Sequence, residues 1–256
     1  MVDKNSNENK VIANLFQNLD NWRHHPKYQL ERRVDIFFSL YLKEVLEDKF
    51  KSGNGFYIAD KLIPEFLVRK GTILENFKDH QHKNMSYNID YLTTCKDLKN
   101  IIFIELKTDN KSINKKQNYY LEKTMEKNFY LILTGIKELC KATKSKFKYY
   151  YLLRELELMG LVSNLENLGK MMEKIKDVQR FPSKKYDELI DEIEITDDDY
   201  YKHLFIIQPT KKEWVGYKGA NIIIFDDFIK VLEKYNDEIS GRFKESLKNW
   251  VAKPVI

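Results

Sequence analysis

The spacing of apolar residues changes along the chain, and the changes predict a mixed α/β fold. Over residues 28–50 apolar positions recur every three or four residues, which is typical of an amphipathic helix. A glycine-containing turn ends this helix at 51–55. Three apolar runs then resemble strands, at 56–69, 86–93 and 101–108. Pro64 interrupts the first run and favours an edge strand or a break.

The remaining chain alternates between helical and strand-like patterns. A long helical region is predicted over about 113–141, and a second over 146–181, in two pieces around Gly160 and Gly169. Residues 183–200 are acidic and typical of a loop. Strands are predicted at 203–208 and 221–225, followed by a helix.

These elements favour one domain over residues 1–256. Residues 1–10 are polar and rich in Asn, and we expect them to be disordered. Residues 142–200 are predicted to be an insertion made of helices and loops.

The strand beginning at Ile101 ends in an unusual way for an apolar segment. Side chains alternate between the faces of a strand, so Phe103, Glu105 and Lys107 share one face. A run this apolar is expected to be buried on both faces. Two charges at its end are then costly unless another group satisfies them. A divalent metal ion and a phosphate would do so.

Composition narrows the class of protein only slightly. Hydrophobic residues make up 43% of the chain, which is sufficient for a substantial core, and the formal net charge is +5. This charge is a mild lean toward anionic partners. The two cysteines, Cys95 and Cys140, lack the spacing of a zinc site and favour a reduced, cytoplasmic compartment. No apolar stretch reaches the length needed to span a membrane.

Two short segments resemble the PD-(D/E)xK nuclease superfamily, which includes restriction-type and RecB-like enzymes. They are Asn88-Ile89-Asp90-Tyr91-Leu92 and Glu105-Leu106-Lys107, on neighbouring strand-like runs. The resemblance spans residues 28–121, although Ile89 stands where the family usually has proline. It implies a restriction-endonuclease-like αβββαβ core with a mixed central sheet flanked by helices.

The resemblance also implies a site for Mg²⁺, with Mn²⁺ as a substitute. Asp90 and Glu105 are the expected ligands, with the Leu106 carbonyl as a third. Such oxygen donors suit Mg²⁺, whose charge stabilises a phosphoryl transition state and activates water. Lys107 is expected to orient the attacking water and stabilise negative charge. The alternative is a surface ion-pair cluster at a strand end.

Acidic residues outside the motif are further candidates for metal binding and catalysis. Glu31 lies seven residues before Phe38, at the head of the apolar stripe of the first predicted helix. It matches an acidic residue that points at the metal in related nucleases, and we expect a catalytic and metal-binding role. Alternatively, it only complements the helix dipole. Asp35, one turn later, is the fallback, and Glu65 is a weaker candidate.

A polar and basic segment follows the Glu-x-Lys strand. Gln117 matches the glutamine of a RecB-like Gln-x-x-x-Tyr element, although Leu121 stands at the tyrosine position. Lys111, Lys115 and Lys116 surround the start of the next helix, where backbone amides favour anions. Together with Tyr119 and Tyr120 they could hold a nucleic-acid backbone and stack a base. The alternative is a solvated, lysine-rich helix face.

The sequence therefore predicts a Mg²⁺-dependent nuclease that acts on DNA. A catalytically silent module that binds nucleic acid or a protein is the alternative, and a structural protein that uses residues 146–181 is a third. The pattern leaves open whether the substrate is DNA or RNA, its strandedness and sequence, exonuclease or endonuclease action, and the pathway. A homo-oligomer is compatible with the sequence.

Overall fold

The computed structural model describes residues 4–25, 29–50, 57–74, 84–96, 99–109, 115–175, 181–196, 199–211 and 217–253. The helices are α1 (Lys4–Trp22), α2 (Glu31–Phe50), α3 (Lys70–Ile73), α4 (Lys115–Glu126), α5 (Phe129–Ala142), α6 (Lys146–Leu158), α7 (Glu166–Lys174), α8 (Ser183–Glu192), α9 (Phe225–Leu232) and α10 (Glu238–Ala252). The strands are β1 (Ile58–Arg69), β2 (Ser86–Cys95), β3 (Asn100–Leu106), β4 (Val162–Ser163), β5 (Glu194–Ile195), β6 (Tyr201–Gln208) and β7 (Asn221–Ile224).

The central element is a five-stranded mixed sheet in the order β1-β2-β3-β6-β7, flanked by helices. This confirms the predicted α/β class. Strand β1 lies at the edge, as Pro64 led us to expect. Every residue of β3 is buried, in agreement with the apolar run at 101–104, and this burial includes the polar Asn100 and the charged Glu105. Strands β6 and β7 pair in parallel, with Phe205 opposite Asn221.

The described chain separates into two compact units, whereas we predicted one domain. The first comprises Met1–Asp60, Ile104–Asn118 and Leu204–Ile256. The second comprises Lys61–Phe103 and Tyr119–His203. Sequence periodicity could not reveal this division, because each unit is assembled from segments that are distant along the chain.

Helices α1, α2, α9 and α10 form the core of the first unit. The ring of Phe38 in α2 lies 4.9 Å from that of Phe228 and 5.1 Å from that of Phe243, both at nearly perpendicular angles. Aromatic rings favour such edge-to-face packing. The predicted helix over 28–50 is confirmed from Glu31 onward, and Tyr28 lies outside the described residues.

The predicted disorder of residues 1–10 is not found over residues 4–10, which begin α1. The reason lies further along the helix, where Phe16 and Leu19 are buried. The Phe16 ring lies 4.8 Å from that of Phe37. Packing at these positions stabilises a helix whose polar first turns would not form one alone.

The second unit corrects several boundaries. The predicted helix over 113–141 is two helices, because Asn128 caps α5 by accepting a hydrogen bond from the Tyr130 amide at 2.7 Å. The acidic segment 183–200, predicted as a loop, contains α8 and β5. Tyr186, Leu189 and Ile190 recur at helical spacing there and are buried.

The predicted helical insertion at 142–200 contains α6, α7 and α8, together with a short antiparallel pair, β4 and β5. Gly160, at φ 71°, follows the end of α6 as predicted. Gly169 does not break a helix but lies inside α7. A Cβ atom at Gly169 would meet the Tyr150 hydroxyl at 3.0 Å, so close packing explains this glycine.

Cys95 and Cys140 are both buried and free of disulfide bonds. Burial raises the pKa of the Cys140 thiol to about 12, which makes it a poor nucleophile. Within the described part of the chain, every helix is too short or too polar to cross a membrane.

Candidate active site

The charged end of β3 is buried. Glu105 is 1% exposed and Lys107, one residue beyond the strand, is 4% exposed. The Lys107 ammonium donates to Glu105 Oε1 at 2.7 Å. The two side chains therefore lie on the same face, as strand alternation predicted. Such burial excludes the alternative of a solvated surface ion pair for these two residues.

Gln117 completes a three-residue cluster. It lies in the first turn of α4, and its Nε2 atom donates to Glu105 Oε1. Its side-chain carbonyl accepts a hydrogen bond from the Lys107 ammonium at 3.1 Å. Each of the three side chains thus contacts the other two. Gln117 is not the solvated helix residue of the alternative interpretation, although a contact with substrate stays a prediction.

The backbone also holds this cluster in place. The Lys107 amide donates to the Ile207 carbonyl of β6 at 2.8 Å, so sheet-like pairing continues one residue past β3. Because the main chain is fixed and both polar neighbours are hydrogen bonded, the Lys107 side chain has few alternative positions. This is the kind of preorganisation that electrostatic stabilisation requires.

Glu31 approaches the end of β3 from the first residue of α2. Its Oε1 atom accepts a hydrogen bond from the Thr108 amide at 3.3 Å. Glu31 is half-buried, so its side chain is directed toward the segment that follows Lys107 and not toward bulk solvent. The same position in the first helical turn also complements the helix dipole, so both interpretations of Glu31 remain.

Thr108 was not recognised from the sequence as part of this region. It is buried, and its role is played by the backbone amide, which leaves no signal in residue type. The fallback candidate Asp35 accepts a hydrogen bond from the adjacent Ile36 amide at 2.7 Å. Glu31 is the candidate whose contact with the segment after β3 is observed.

Asp90 lies in β2 and is half-buried. It belongs to the second unit, whereas Glu105, Lys107 and Gln117 belong to the first. Its convergence with Glu105 therefore stays a prediction.

Glu65, the weaker candidate, is exposed and accepts a hydrogen bond from Asn88 at 2.5 Å. Its φ of 50° is unusual for a residue other than glycine and follows the Pro64 interruption.

The predicted basic segment is described only in part. Lys115 and Lys116 are exposed at the start of α4, whereas Lys111 lies outside the described residues. Tyr119 is 47% exposed, so its ring is accessible to a base. The prediction for Tyr120 is wrong, because its ring is buried and stacks on Tyr87 at 5.2 Å.

Comparisons with known proteins assign neither a family nor a function to this chain. No family model, curated protein or solved structure matches this chain. In the described segments, no group of three or more His, Cys, Asp or Glu side chains is arranged to hold a metal ion. Function is therefore inferred from the motif and from the cluster at the end of β3.

Proposed function

We propose that this protein is a Mg²⁺-dependent nuclease that hydrolyses phosphodiester bonds in DNA. The observation that supports the proposal most strongly is the buried Glu105–Lys107–Gln117 cluster. Burying an ion pair at the end of an apolar strand is costly and contributes little net stability. A functional requirement would explain an ion pair at a position where two hydrophobic side chains would pack as well.

The element order also supports a restriction-endonuclease-like core. Helix α2, strands β1, β2 and β3, helix α4 and strand β6 follow one another in the αβββαβ order, apart from the short α3 and the segment α5–β5. The sheet places β1, β2, β3 and β6 side by side. We propose this fold on these two grounds.

The donor set fits a hard divalent cation. Glu105 and Glu31 offer carboxylate oxygens around the end of β3, and Asp90 and the Leu106 carbonyl are the further proposed ligands. Mg²⁺ commonly takes one or two carboxylates and keeps several waters, so a three-carboxylate group is not required. When bound, the ion would neutralise charge on the scissile phosphate and lower the pKa of water.

The chain's own residues divide the remaining tasks. Lys107 would stabilise negative charge on the phosphate and orient the attacking water. Gln117 would hold the Lys107 ammonium in position through its side-chain carbonyl, and Glu105 through its carboxylate. Lys115 and Lys116, exposed at the start of α4, would bind the phosphate backbone on either side, together with Lys111.

A silent, nuclease-like binding module is the second candidate. The observation that favours it is the engagement of Lys107 by two side chains of its own chain. A lysine whose ammonium is hydrogen bonded to two side chains could stabilise the fold without taking part in catalysis.

The deciding experiment is a cleavage assay with purified protein on double-stranded DNA, single-stranded DNA and RNA. We expect cleavage of DNA with Mg²⁺ or Mn²⁺ and none with EDTA. Lys107→Ala should reduce the rate by about 10²- to 10³-fold while metal binding is largely kept. Asp90→Ala should lose both metal binding and cleavage, because a ligand is removed.

The matched control is Lys170→Ala, which removes an exposed lysine of α7 and should leave the rate unchanged. Melting curves of each variant separate lost activity from lost fold. Binding of Mg²⁺ and DNA without cleavage of any tested substrate would favour the silent module. Equal rates for Lys107→Ala and wild type would contradict the mechanism.

A further inference from the structure

A cleft of about 560 Å³ lies between α1 and α10 in the first unit. Three cationic side chains line it: Arg23, Arg242 and Lys253. This volume falls within the range of about 300–1,000 Å³ that is typical of small-molecule sites. The cleft is lined by none of the residues of the candidate active site.

Arg23 is the unusual member of this lining. It is 6% exposed, and its guanidinium lies over the Trp250 ring at 5.6 Å. Its Nη2 atom donates to the Lys253 carbonyl at 3.2 Å. The buried Nε–H has no acceptor among the described residues. A buried donor without an acceptor is energetically unfavourable, and more so when the group is charged.

The carboxylates of the cleft do not supply that acceptor. Asp20 accepts a hydrogen bond from the Trp250 indole at 2.6 Å. Glu245 pairs with Lys248, on the same helix, at 3.3 Å. Burial lowers the pKa of the Arg23 guanidinium, although Asp20 and Asp109 oppose this effect, and an arginine stays charged at any physiological pH. The cleft therefore contains a buried cation whose hydrogen-bonding capacity is incompletely used.

We propose that the α1–α10 cleft binds a phosphate group, with the Arg23 guanidinium as its principal donor. Guanidinium groups bind phosphate oxygens through paired N–H donors. Lys253 adds positive charge at the same cleft, and Arg242 also lines it, although its Nε atom donates to Glu238 at 2.7 Å. Asn21 and Asn249 line the cleft as well and carry amide donors. The phosphate could come from a small phosphorylated molecule or from the end of a nucleic-acid strand. The proposal is independent of cleavage at the end of β3.

The test is isothermal titration calorimetry of the full chain with pyrophosphate, in the presence of EDTA. A chloride salt keeps the ionic strength constant. Two variants probe the cleft in different ways. Arg23→Lys keeps the charge but loses the guanidinium donors, and Asn249→Asp adds a negative charge at an exposed position of α10 without removing a core contact. Arg154→Gln, which removes an exposed arginine of α6, is the matched control.

We expect wild type and Arg154→Gln to bind pyrophosphate equally, and each cleft variant to bind at least about tenfold more weakly. If Arg23→Lys does not fold, Asn249→Asp alone decides. Absence of pyrophosphate binding by wild type, or unchanged affinity in Asn249→Asp, would overturn the proposal.

A second titration identifies the source of the phosphate. A short single-stranded oligonucleotide is compared with and without a 5′-phosphate, again in EDTA. Binding that requires the 5′-phosphate and is weakened by Asn249→Asp assigns the cleft to strand ends. Binding of pyrophosphate alone assigns it to small phosphorylated molecules.

Discussion

Replacing Lys107 with methionine should destabilise the protein far more than a typical lysine substitution. The change removes the ammonium that lies 2.7 Å from Glu105 and leaves a carboxylate that is 1% exposed. Removing one partner of a buried ion pair typically costs about 3–5 kcal/mol. Gln117 still donates one hydrogen bond to Glu105, so we expect a loss near the lower end, about 3 kcal/mol.

The assay is urea unfolding at pH 7 of wild type, Lys107→Met, Glu105→Gln and the double variant. The double variant contains no buried charge at this position, so it should be more stable than Lys107→Met by at least about 1 kcal/mol.

The exposed pair Lys185–Glu188, at 3.5 Å on α8, provides the control. Lys185→Met should change the free energy of unfolding by less than about 0.5 kcal/mol. A loss of unfolding free energy for Lys107→Met no larger than that of this control would refute a buried ion pair between Lys107 and Glu105. Additivity of the two single changes within about 0.5 kcal/mol would refute it as well.

We make three further predictions, one each for Gln117, Phe38 and Lys202. Gln117→Leu removes both hydrogen bonds to the cluster, so unfolding free energy should fall by about 1–3 kcal/mol in a urea titration and DNA cleavage should slow. Phe38→Ala should lower the free energy of unfolding by about 3–5 kcal/mol in the same titration, because a fully buried ring that contacts Phe228 and Phe243 is lost. A decrease below about 1 kcal/mol would contradict this packing. Burial lowers the pKa of Lys202 to about 8 in the folded protein, whereas its ordinary value is 10.5. Between pH 8 and 10.5 the unfolded chain therefore binds more protons than the folded protein. The free energy of unfolding should rise with pH across this interval. The full shift corresponds to about 3 kcal/mol, which solvent screening of a partly exposed side chain reduces to about 1–2 kcal/mol. This contribution is measured by comparing the free energy of unfolding of wild type and Lys202→Met as a function of pH. A difference between the two proteins that does not change with pH would mean that the carbonyls of Thr124 and Met125 keep Lys202 charged.

Local patterns predicted the sheet and the buried charged strand end well. Strand β3 is recognisable because residues 101–104 are all apolar, and alternation then places Glu105 and Lys107 on one face. The contact of Gln117 with this pair could only be suspected, since it depends on where α4 begins relative to β3. Helix α1 was missed because its first turns are polar and its stability comes from Phe16 and Leu19 packing in the first unit.

Other features have no local signature at all. The cleft lined by Arg23 requires α1 and α10 to be adjacent, and these helices are separated by more than two hundred residues of sequence. The Thr108 amide that contacts Glu31 belongs to the backbone and is therefore invisible in residue type. Helix α8 was mistaken for a loop because its acidic positions outweighed the apolar spacing of Tyr186, Leu189 and Ile190.

We propose that Asp90 and Glu105 bind one divalent ion beside Lys107. A crystal structure with Mn²⁺, located by its anomalous scattering, tests this proposal. We expect a single strong peak within about 2.0–2.4 Å of carboxylate oxygens from both Asp90 and Glu105, with Lys107 adjacent. Asp90 and Glu105 on opposite faces of the sheet, or Mn²⁺ bound elsewhere and absent from Glu105, would contradict it.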